Sequence, residues 1–195
     1  KHIKYVCNHH EQAAAIAAEG YYRSSGKLCV TNVTTGPGGT NALTGVLGQW
    51  CDSIPALYIS GQVKQSTTIC ACPELNLRQL GVQEVDIVDI VKPITKMAVM
   101  VTDPLDIKYY LDKAVFLALN GRPGPVWLDV PLDIQGAVID EEKLREFSSE
   151  EIEKEAPLLK EECVELLLQK IQAAKSPVVY VGNGVRLAGR VDQFL

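Results

Sequence analysis

The sequence lacks any long hydrophobic run, and no stretch comes near the roughly 20 apolar residues of a membrane span. The amino end, from Lys1 to Lys4, is not followed by the apolar core of a signal peptide. Positive charge is also not in excess, because 19 Lys and Arg stand against 24 Asp and Glu and give a net charge of −5. Without a basic stripe for phosphates or anionic lipids, the sequence argues against nucleic-acid and membrane partners and predicts a cytoplasmic protein.

Metal-binding and nucleotide-binding motifs are missing as well. The six cysteines include one close pair, Cys70 and Cys72, but no second pair and no His at ligand spacing, so the sequence predicts no metal site. We expect reduced, buried thiols, since nothing points to an oxidising compartment. The glycine-rich segment 36–39 has neither the Lys-Ser/Thr pair of a P-loop nor Gly-x-Gly-x-x-Gly spacing, which argues against a Rossmann or flavodoxin-type nucleotide site.

What the sequence does contain is a globular composition, with 47% hydrophobic and 22% charged residues. Short apolar runs of strand length alternate with longer helical patterns, which is typical of βαβ units. We therefore predict the α/β class, with an open, mainly parallel sheet flanked by helices. Strands are predicted at 3–7, 28–33, 56–60, 94–101 and 125–130, helices at 11–23, from residue 40 to about residue 50, and at 104–120, and a long loop at 62–81.

A change in composition divides the chain. Residues 1–133 are predicted to form one domain, and the charged, polar stretch 134–157 a linker with no apolar stripe to bury. Residues 158–195 are predicted to start a second α/β domain, with a helix at 158–174 and a strand at 177–181. Because the chain opens without Met and closes without a polar tail, we expect it to be part of a longer protein.

Two junctions between a strand and a helix are candidate ligand sites. Glu11 follows the first predicted strand, and ligands of open α/β sheets bind beyond the carboxyl ends of the strands. The alternative is a first-turn acid that only complements the helix dipole. The glycines of segment 36–39 let the backbone approach a ligand closely, although a tight turn explains them equally well.

Taken in order, the motifs of the chain are more specific than any one of them. They are His10-Glu11, Ala18-Glu19-Gly20-Tyr21-Tyr22-Arg23, Thr35-Gly36-Pro37-Gly38-Gly39-Thr40-Asn41, Asp52-Ser53-Ile54-Pro55, Ser60-Gly61-Gln62, Val82-Gln83-Glu84, Gly121-Arg122-Pro123-Gly124-Pro125 and Asp129-Val130-Pro131. Their order resembles the amino-terminal, pyrimidine-binding domain of thiamine-diphosphate enzymes of the acetolactate synthase and pyruvate decarboxylase group, and most of all the acetolactate synthase large subunit. The resemblance covers about residues 3–133, and the piece after the linker resembles the start of that family's central domain.

The resemblance implies roles for five residues. Glu11 matches the catalytic glutamate that binds the N1′ atom of the cofactor's aminopyrimidine. Pro37, Asn41 and Gln83 fall where the family contacts the cofactor or the reaction centre, and Gln83 and Lys96 fall on the substrate side, with Lys96 near the active-site entrance. For its role in proton transfer, we expect Glu11 to be buried, with a pKa raised by desolvation.

The resemblance also implies cofactors and partners. The cofactor would be thiamine diphosphate, held through Mg²⁺ by a Gly-Asp-Gly motif and an Asn of a carboxyl-terminal domain, and no Gly-Asp-Gly occurs in this chain. The substrate would be a small 2-oxo acid, and the enzyme a decarboxylase or carboligase that is at least a homodimer, either a homodimer or a homotetramer.

Several points stay open at this stage. Val82 stands where acetolactate synthases usually have Phe, so the substrates are not defined, and neither is the use of FAD. The chain alone, without the Mg²⁺ anchor, is expected to be inactive. The alternative is a non-catalytic α/β ligand-binding or interaction module derived from the same fold.

Overall fold

Four strands, all paired in parallel, form the sheet of the first of two units. The computed structural model describes residues 3–152 and 159–195, and the chain divides into units 1–152 and 153–195. The strand order is β1-β2-β4-β3, which confirms the predicted α/β class with a parallel sheet. The strands are β1 (Cys29–Val33), β2 (Ala56–Gln62), β3 (Met97–Met100) and β4 (Pro125–Pro131).

Helices cover both faces of this sheet. In the first unit they are α1 (Glu11–Ser25), α2 (Pro37–Asn41), α3 (Leu43–Asp52), α4 (Ile87–Val91), α5 (Ile107–Leu119) and α6 (Leu132–Gln135). Every residue of β4 is buried, as expected for a central strand covered on both sides. Because side chains alternate along a strand, Tyr58 and Trp127 stack on the face covered by α1, α3 and α4, while Leu57 and Leu128 pack on the face covered by α5.

Helices α1 and α3 lie in close contact because small residues meet between them. A Cβ atom added to Gly45 of α3 would stand 2.4 Å from the Cβ of Ala15 on α1. Helix α1 is Ala-rich, which favours a helix, and it ends at Gly26 in the left-handed conformation. This packing places the amino end of α1 beside the loop that follows β1.

Two predicted strands are not formed. Residues 3–7 have no regular structure, and Ile3, Tyr5 and Val6 are more than four-fifths exposed. In the second unit, 177–181 is likewise irregular, and Val178 and Tyr180 are almost fully exposed. Both segments have strand-like composition, but a strand needs a neighbour for its backbone N–H and C=O groups, and neither segment has one here.

The predicted loop at 62–81 contains three short 3-10 turns, at Gln65–Thr67, Ile69–Ala71 and Pro73–Leu75. The second unit contains helices α7 (Glu161–Ala173), α8 (Gly184–Leu187) and α9 (Val191–Phe194). Along the described ranges, no helix is long and apolar enough to cross a membrane.

Part of the stretch expected to be a linker packs on the first unit. The ring of Phe147 lies 5.8 Å from that of Tyr109 and 5.6 Å from that of Phe116, both on α5. The hydroxyl of Tyr109 donates to Glu151 at 2.8 Å. Phe147, a single aromatic residue among charged neighbours, therefore anchors this segment. The sequence did not suggest this contact, because the segment has no apolar stripe. Residues 153–157 of the expected linker lie outside the described residues.

The cysteines are free, but the prediction that they are buried is wrong. Two are partly buried and four are exposed, because they lie in the irregular amino-terminal segment, on outward-facing helix positions, on the edge strand and in the loop after β2 rather than in the core. The partly buried ones are Cys29 and Cys72, and the exposed ones are Cys7, Cys51, Cys70 and Cys163.

Candidate active site

The loop between β1 and α2 is shaped by glycine. Gly36 has φ +59° and ψ −112°, a conformation that side chains with a Cβ rarely adopt. A Cβ at this position would stand only 1.9 Å from the carbonyl oxygen of Gln83. The glycine thus permits direct backbone contact between the loop 34–39, which we call the glycine loop, and the turn 81–84, which we call the Gln83 turn.

The Gln83 turn is fixed from inside the protein by a carboxylate. Glu84 is buried and accepts hydrogen bonds from the backbone N–H groups of Ile69 at 2.6 Å, Leu80 at 3.1 Å and Gly81 at 3.3 Å. Gln83 itself is exposed, with φ +59°, so its side chain projects from a turn whose backbone is held in place.

Glu11 lies in the first turn of α1 and meets the end of α2. The Nδ2 atom of Asn41 donates to Oε2 of Glu11 at 2.7 Å and lies 3.3 Å from Nε2 of His10. Gly38 borders the other carboxylate oxygen, since a Cβ at Gly38 would stand 3.6 Å from Oε1. A Cβ at Gly38 would also stand 2.7 Å from the methyl of Thr34, so the absence of a side chain lets the glycine loop pack directly beside the Glu11 carboxylate.

The electrostatics of Glu11 differ from the expectation of a buried carboxyl with a raised pKa. The hydrogen bond from Asn41 holds the pKa of Glu11 below its ordinary value, helped by a backbone N–H and by nearby His10. Glu11 is only partly buried, so desolvation is too weak to offset these donors. In this chain Glu11 is a carboxylate and a hydrogen-bond acceptor.

A buried polar network lies beneath the two loops, and sequence reasoning gave it no role. Gln62 donates to Oδ2 of Asp129 at 3.0 Å, and Ser60 donates to Oδ1 at 2.5 Å. Trp127 Nε1 donates to Ser60 at 2.8 Å, and Thr35 donates to Oε1 of Gln62 at 2.6 Å. The motifs around residues 60–62 and 129–131 were visible in the sequence, but only the fold shows that they meet.

The structure brings together four of the five residues singled out from the sequence. Pro37 is the exposed first residue of α2 and follows Gly36 directly, while Glu11, Asn41 and Gln83 border the same loop. Lys96 is not among them. Its Nζ donates to the carbonyl of Asn120 at 2.5 Å, and it precedes β3, at the opposite end of the parallel sheet from the glycine loop.

Comparisons with known proteins show which family the chain is similar to. Residues 1–90 match the family model of the thiamine pyrophosphate enzymes, N-terminal TPP binding domain. The chain is 37% identical over 195 residues to the acetolactate synthase large subunit of Lactococcus lactis, covering 98% of this chain and 32% of the relative. It is 38% identical to the acetolactate synthase of Arthrospira platensis, covering 96% of this chain and 31% of the relative. It is also 38% identical to the chloroplastic acetolactate synthase of Arabidopsis thaliana, covering 93% of this chain and 26% of the relative. The chain spans about a third of the length of the first of these curated relatives.

Proposed function

Since this chain belongs to the thiamine pyrophosphate enzymes, through the N-terminal TPP binding domain in its first 90 residues, we propose that it is the pyrimidine-binding part of an acetolactate-synthase-like enzyme. The reaction would be the decarboxylation of a 2-oxo acid followed by ligation to a second carbonyl compound. The observation that carries the proposal is the partly exposed Glu11 carboxylate, held by Asn41 and bordered by Gly38, beside the contact between Gly36 and Gln83.

The residues at this position fit an aminopyrimidine ring, which is flat and carries both hydrogen-bond donors and acceptors. A carboxylate fixed on one side by an amide presents its free lone pairs to a ring nitrogen. A Cβ at position 36 would stand 1.9 Å from the carbonyl oxygen of Gln83, and one at position 38 would stand 2.7 Å from the methyl of Thr34, so both glycines let the glycine loop pack tightly beside the Glu11 carboxylate. Thiamine diphosphate, which is another name for thiamine pyrophosphate, is therefore the cofactor that we assign to this site.

Bound thiamine diphosphate supplies the electron sink that lets a 2-oxo acid lose carbon dioxide. Glu11 would hold a proton between its carboxylate and the N1′ ring nitrogen, and Asn41 would keep the carboxylate oriented. Covering the site with a partner surface would remove water and raise the pKa of Glu11 toward the range in which it can exchange a proton. Gln83, projecting from its fixed turn, would lie on the substrate side.

The rest of the active site would come from outside this chain. Within ranges 3–152 and 159–195, no group of three His, Cys, Asp or Glu residues is arranged to hold a metal ion, so we assign the Mg²⁺ and diphosphate ligands to a further domain. We propose a homodimer or homotetramer in which this domain comes from a second subunit. Lys96 lies at the opposite end of the parallel sheet from Glu11, Gly38 and Asn41, which we call the Glu11 cluster, and we give it no direct role there.

The test is Glu11→Gln in a chimaera in which residues 1–195 are followed by the remainder of the Lactococcus lactis relative. We expect turnover of pyruvate to fall about 10²- to 10⁴-fold, which is what general acid–base groups contribute. The matched control is Glu19→Gln, about two turns further along the same helix, where the partly buried carboxylate pairs with Arg23. Turnover should then stay close to that of the parent.

Binding measurements supply an independent result. Calorimetric titration with thiamine diphosphate and Mg²⁺ should show binding by the chimaera and weak or no binding by the 195-residue chain, because the pyrimidine alone offers few atoms for contact. Normal turnover of Glu11→Gln would remove Glu11 from the mechanism. Submicromolar binding by the chain alone would overturn the assignment of the diphosphate anchor to another domain.

A further inference from the structure

Gln62 ends β2 and connects the two loops that border the Glu11 cluster. Its side-chain oxygen accepts hydrogen bonds from Oγ1 of Thr35 at 2.6 Å and from the backbone N–H of Val63 at 3.0 Å. Its side-chain nitrogen donates to the carbonyl of Val85 at 3.2 Å and to Asp129 at 3.0 Å. Thr35 is the residue before Gly36, and Val85 is two residues after Gln83, so one buried amide holds both loops.

Asp129 determines which way this amide points. An ionised carboxylate only accepts hydrogen bonds, so it requires the NH₂ group of Gln62 to face it, and the oxygen of Gln62 then faces Thr35. Ser60 satisfies the second oxygen of Asp129 and itself accepts from Trp127. Both branches of this hydrogen-bond network therefore donate toward Asp129. A reversed amide would set its NH₂ group against the N–H of Val63, and its oxygen against Asp129 and the carbonyl of Val85.

Burying the carboxylate of Asp129 lowers the stability of the fold, which favours a role for this residue beyond packing. Asp129 has no exposed surface, and its two side-chain hydrogen-bond partners, Ser60 and Gln62, are neutral. Burial raises the pKa of Asp129 to about 6. An apolar residue of similar size in β4 would avoid this cost, and costly buried charges are concentrated at functional sites.

The connection through Gln62 matters because the glycine loop and the Gln83 turn touch through their backbones, with no side chain between them. The backbone of Gly36 comes so close to the carbonyl of Gln83 that a single methyl group does not fit. We propose that Gln62, oriented by Asp129, is a positioning residue that sets the spacing between the glycine loop and the Gln83 turn and so shapes the cofactor site. The part that concerns the cofactor rests on the proposed function, whereas the spacing of the loops does not.

The chain contains a matched control for Gln62. Gln49 on α3 is an equally buried glutamine that donates to the carbonyl of Ala15 at 2.8 Å and accepts from the hydroxyl of Tyr58 at 2.8 Å. It has no hydrogen bond to either loop. Replacing each glutamine by Met keeps the size of the side chain and removes its hydrogen bonds. The two variants therefore differ mainly in which segments of the protein lose hydrogen bonds.

The experiment is hydrogen exchange of the 195-residue chain, free of cofactor, followed by mass spectrometry. Gln62→Met should accelerate exchange at 34–41 and 81–86 by about tenfold or more relative to α5, because several buried groups lose their partner. Gln49→Met should act instead on α1 and α3. If Gln62→Met does not fold, Thr35→Val removes one donor at the partly exposed end and should accelerate exchange at the same loops by about fivefold.

Cofactor binding in the chimaera completes the test. The KM for thiamine diphosphate should rise about tenfold in Gln62→Met or Thr35→Val and stay unchanged in Gln49→Met. Equal effects of both glutamine variants on the loops, or no effect of Thr35→Val, would overturn the positioning role. If Gln62→Met accelerates exchange only at the two loops while the KM for thiamine diphosphate is unchanged, the role of Gln62 in spacing the loops stands. The assignment of the cofactor to this site is then overturned.

Discussion

The contact between Gly36 and Gln83 can be tested by adding one methyl group. In Gly36→Ala the new Cβ would stand 1.9 Å from the carbonyl oxygen of Gln83, and the backbone would keep φ +59° and ψ −112°. Residues held in such a region cost about 1–3 kcal/mol, and an extra group in a packed site typically costs another 1–3 kcal/mol. We therefore expect the free energy of unfolding to fall by about 2–6 kcal/mol.

A second glycine separates the two contributions. Gly26, which ends α1, also has a positive φ of +68°, but a Cβ there would meet nothing within 4 Å. Gly26→Ala should therefore cost only the left-handed conformation, about 1–2 kcal/mol. The difference between the two variants measures the close approach of the glycine loop to the Gln83 turn.

Urea titration followed by tryptophan fluorescence is a suitable assay, because both tryptophans, Trp50 and Trp127, belong to the first unit. Trp127 is fully buried and reports directly on the core between sheet and helices. If Gly36→Ala costs no more than Gly26→Ala, the close backbone contact does not exist in solution, and the site described above is not preassembled in this chain.

Two further predictions concern the packing of the helices and the buried carboxylate. In Gly45→Ala the new Cβ would stand 2.4 Å from that of Ala15, so this variant should destabilise the first unit by about 1–3 kcal/mol in the same urea assay. Gly20→Ala adds a Cβ in open space on α1 and should stabilise the unit by about 0.5–1 kcal/mol. Equal effects of the two variants would contradict the close packing of α1 on α3. Because the pKa of Asp129 is raised to about 6 from an ordinary value of 3.8, the folded state binds its proton more tightly than the unfolded chain. The unfolding free energy of the parent relative to Asp129→Asn should therefore fall by about 2 kcal/mol from pH 4 to pH 7, and a constant difference would refute the burial argument.

The sequence allowed the fold class to be predicted because its periodicity is local. Continuous apolar runs such as 125–130 belong to strands covered on both faces, and they formed as expected. The strands at 3–7 and 177–181 did not form, because composition reports the preference of a segment and not the presence of a neighbour. The position of Phe147 against α5 likewise depends on a contact between residues distant in sequence.

The candidate site, like the fold, could be predicted from the sequence only in part. Asn41 follows β1 and Gln83 follows β2, so the parallel sheet brings both toward one edge. Glu11 reaches the same edge through the packing of α1 on α3, because the strand predicted before it is not formed. The lowered pKa of Glu11 did not follow from topology, since it depends on one hydrogen bond and on how much water reaches the carboxylate. The role of Gln62 was also hidden, because its partners Thr35 and Asp129 are 27 and 67 residues away.

The strand order has a consequence for how the chain acquires its structure during synthesis. β4 is the last strand along the chain, yet it lies between β2 and β3, and β3 pairs with no other strand. A nascent chain that has not reached residue 125 can pair only β1 with β2, and it must wait for β4 before the sheet closes. Such non-local pairing slows folding and leaves strand edges exposed in the meantime. Since Asp129 arrives with β4, the carboxylate that orients Gln62 beneath the glycine loop and the Gln83 turn is absent until this strand has been added.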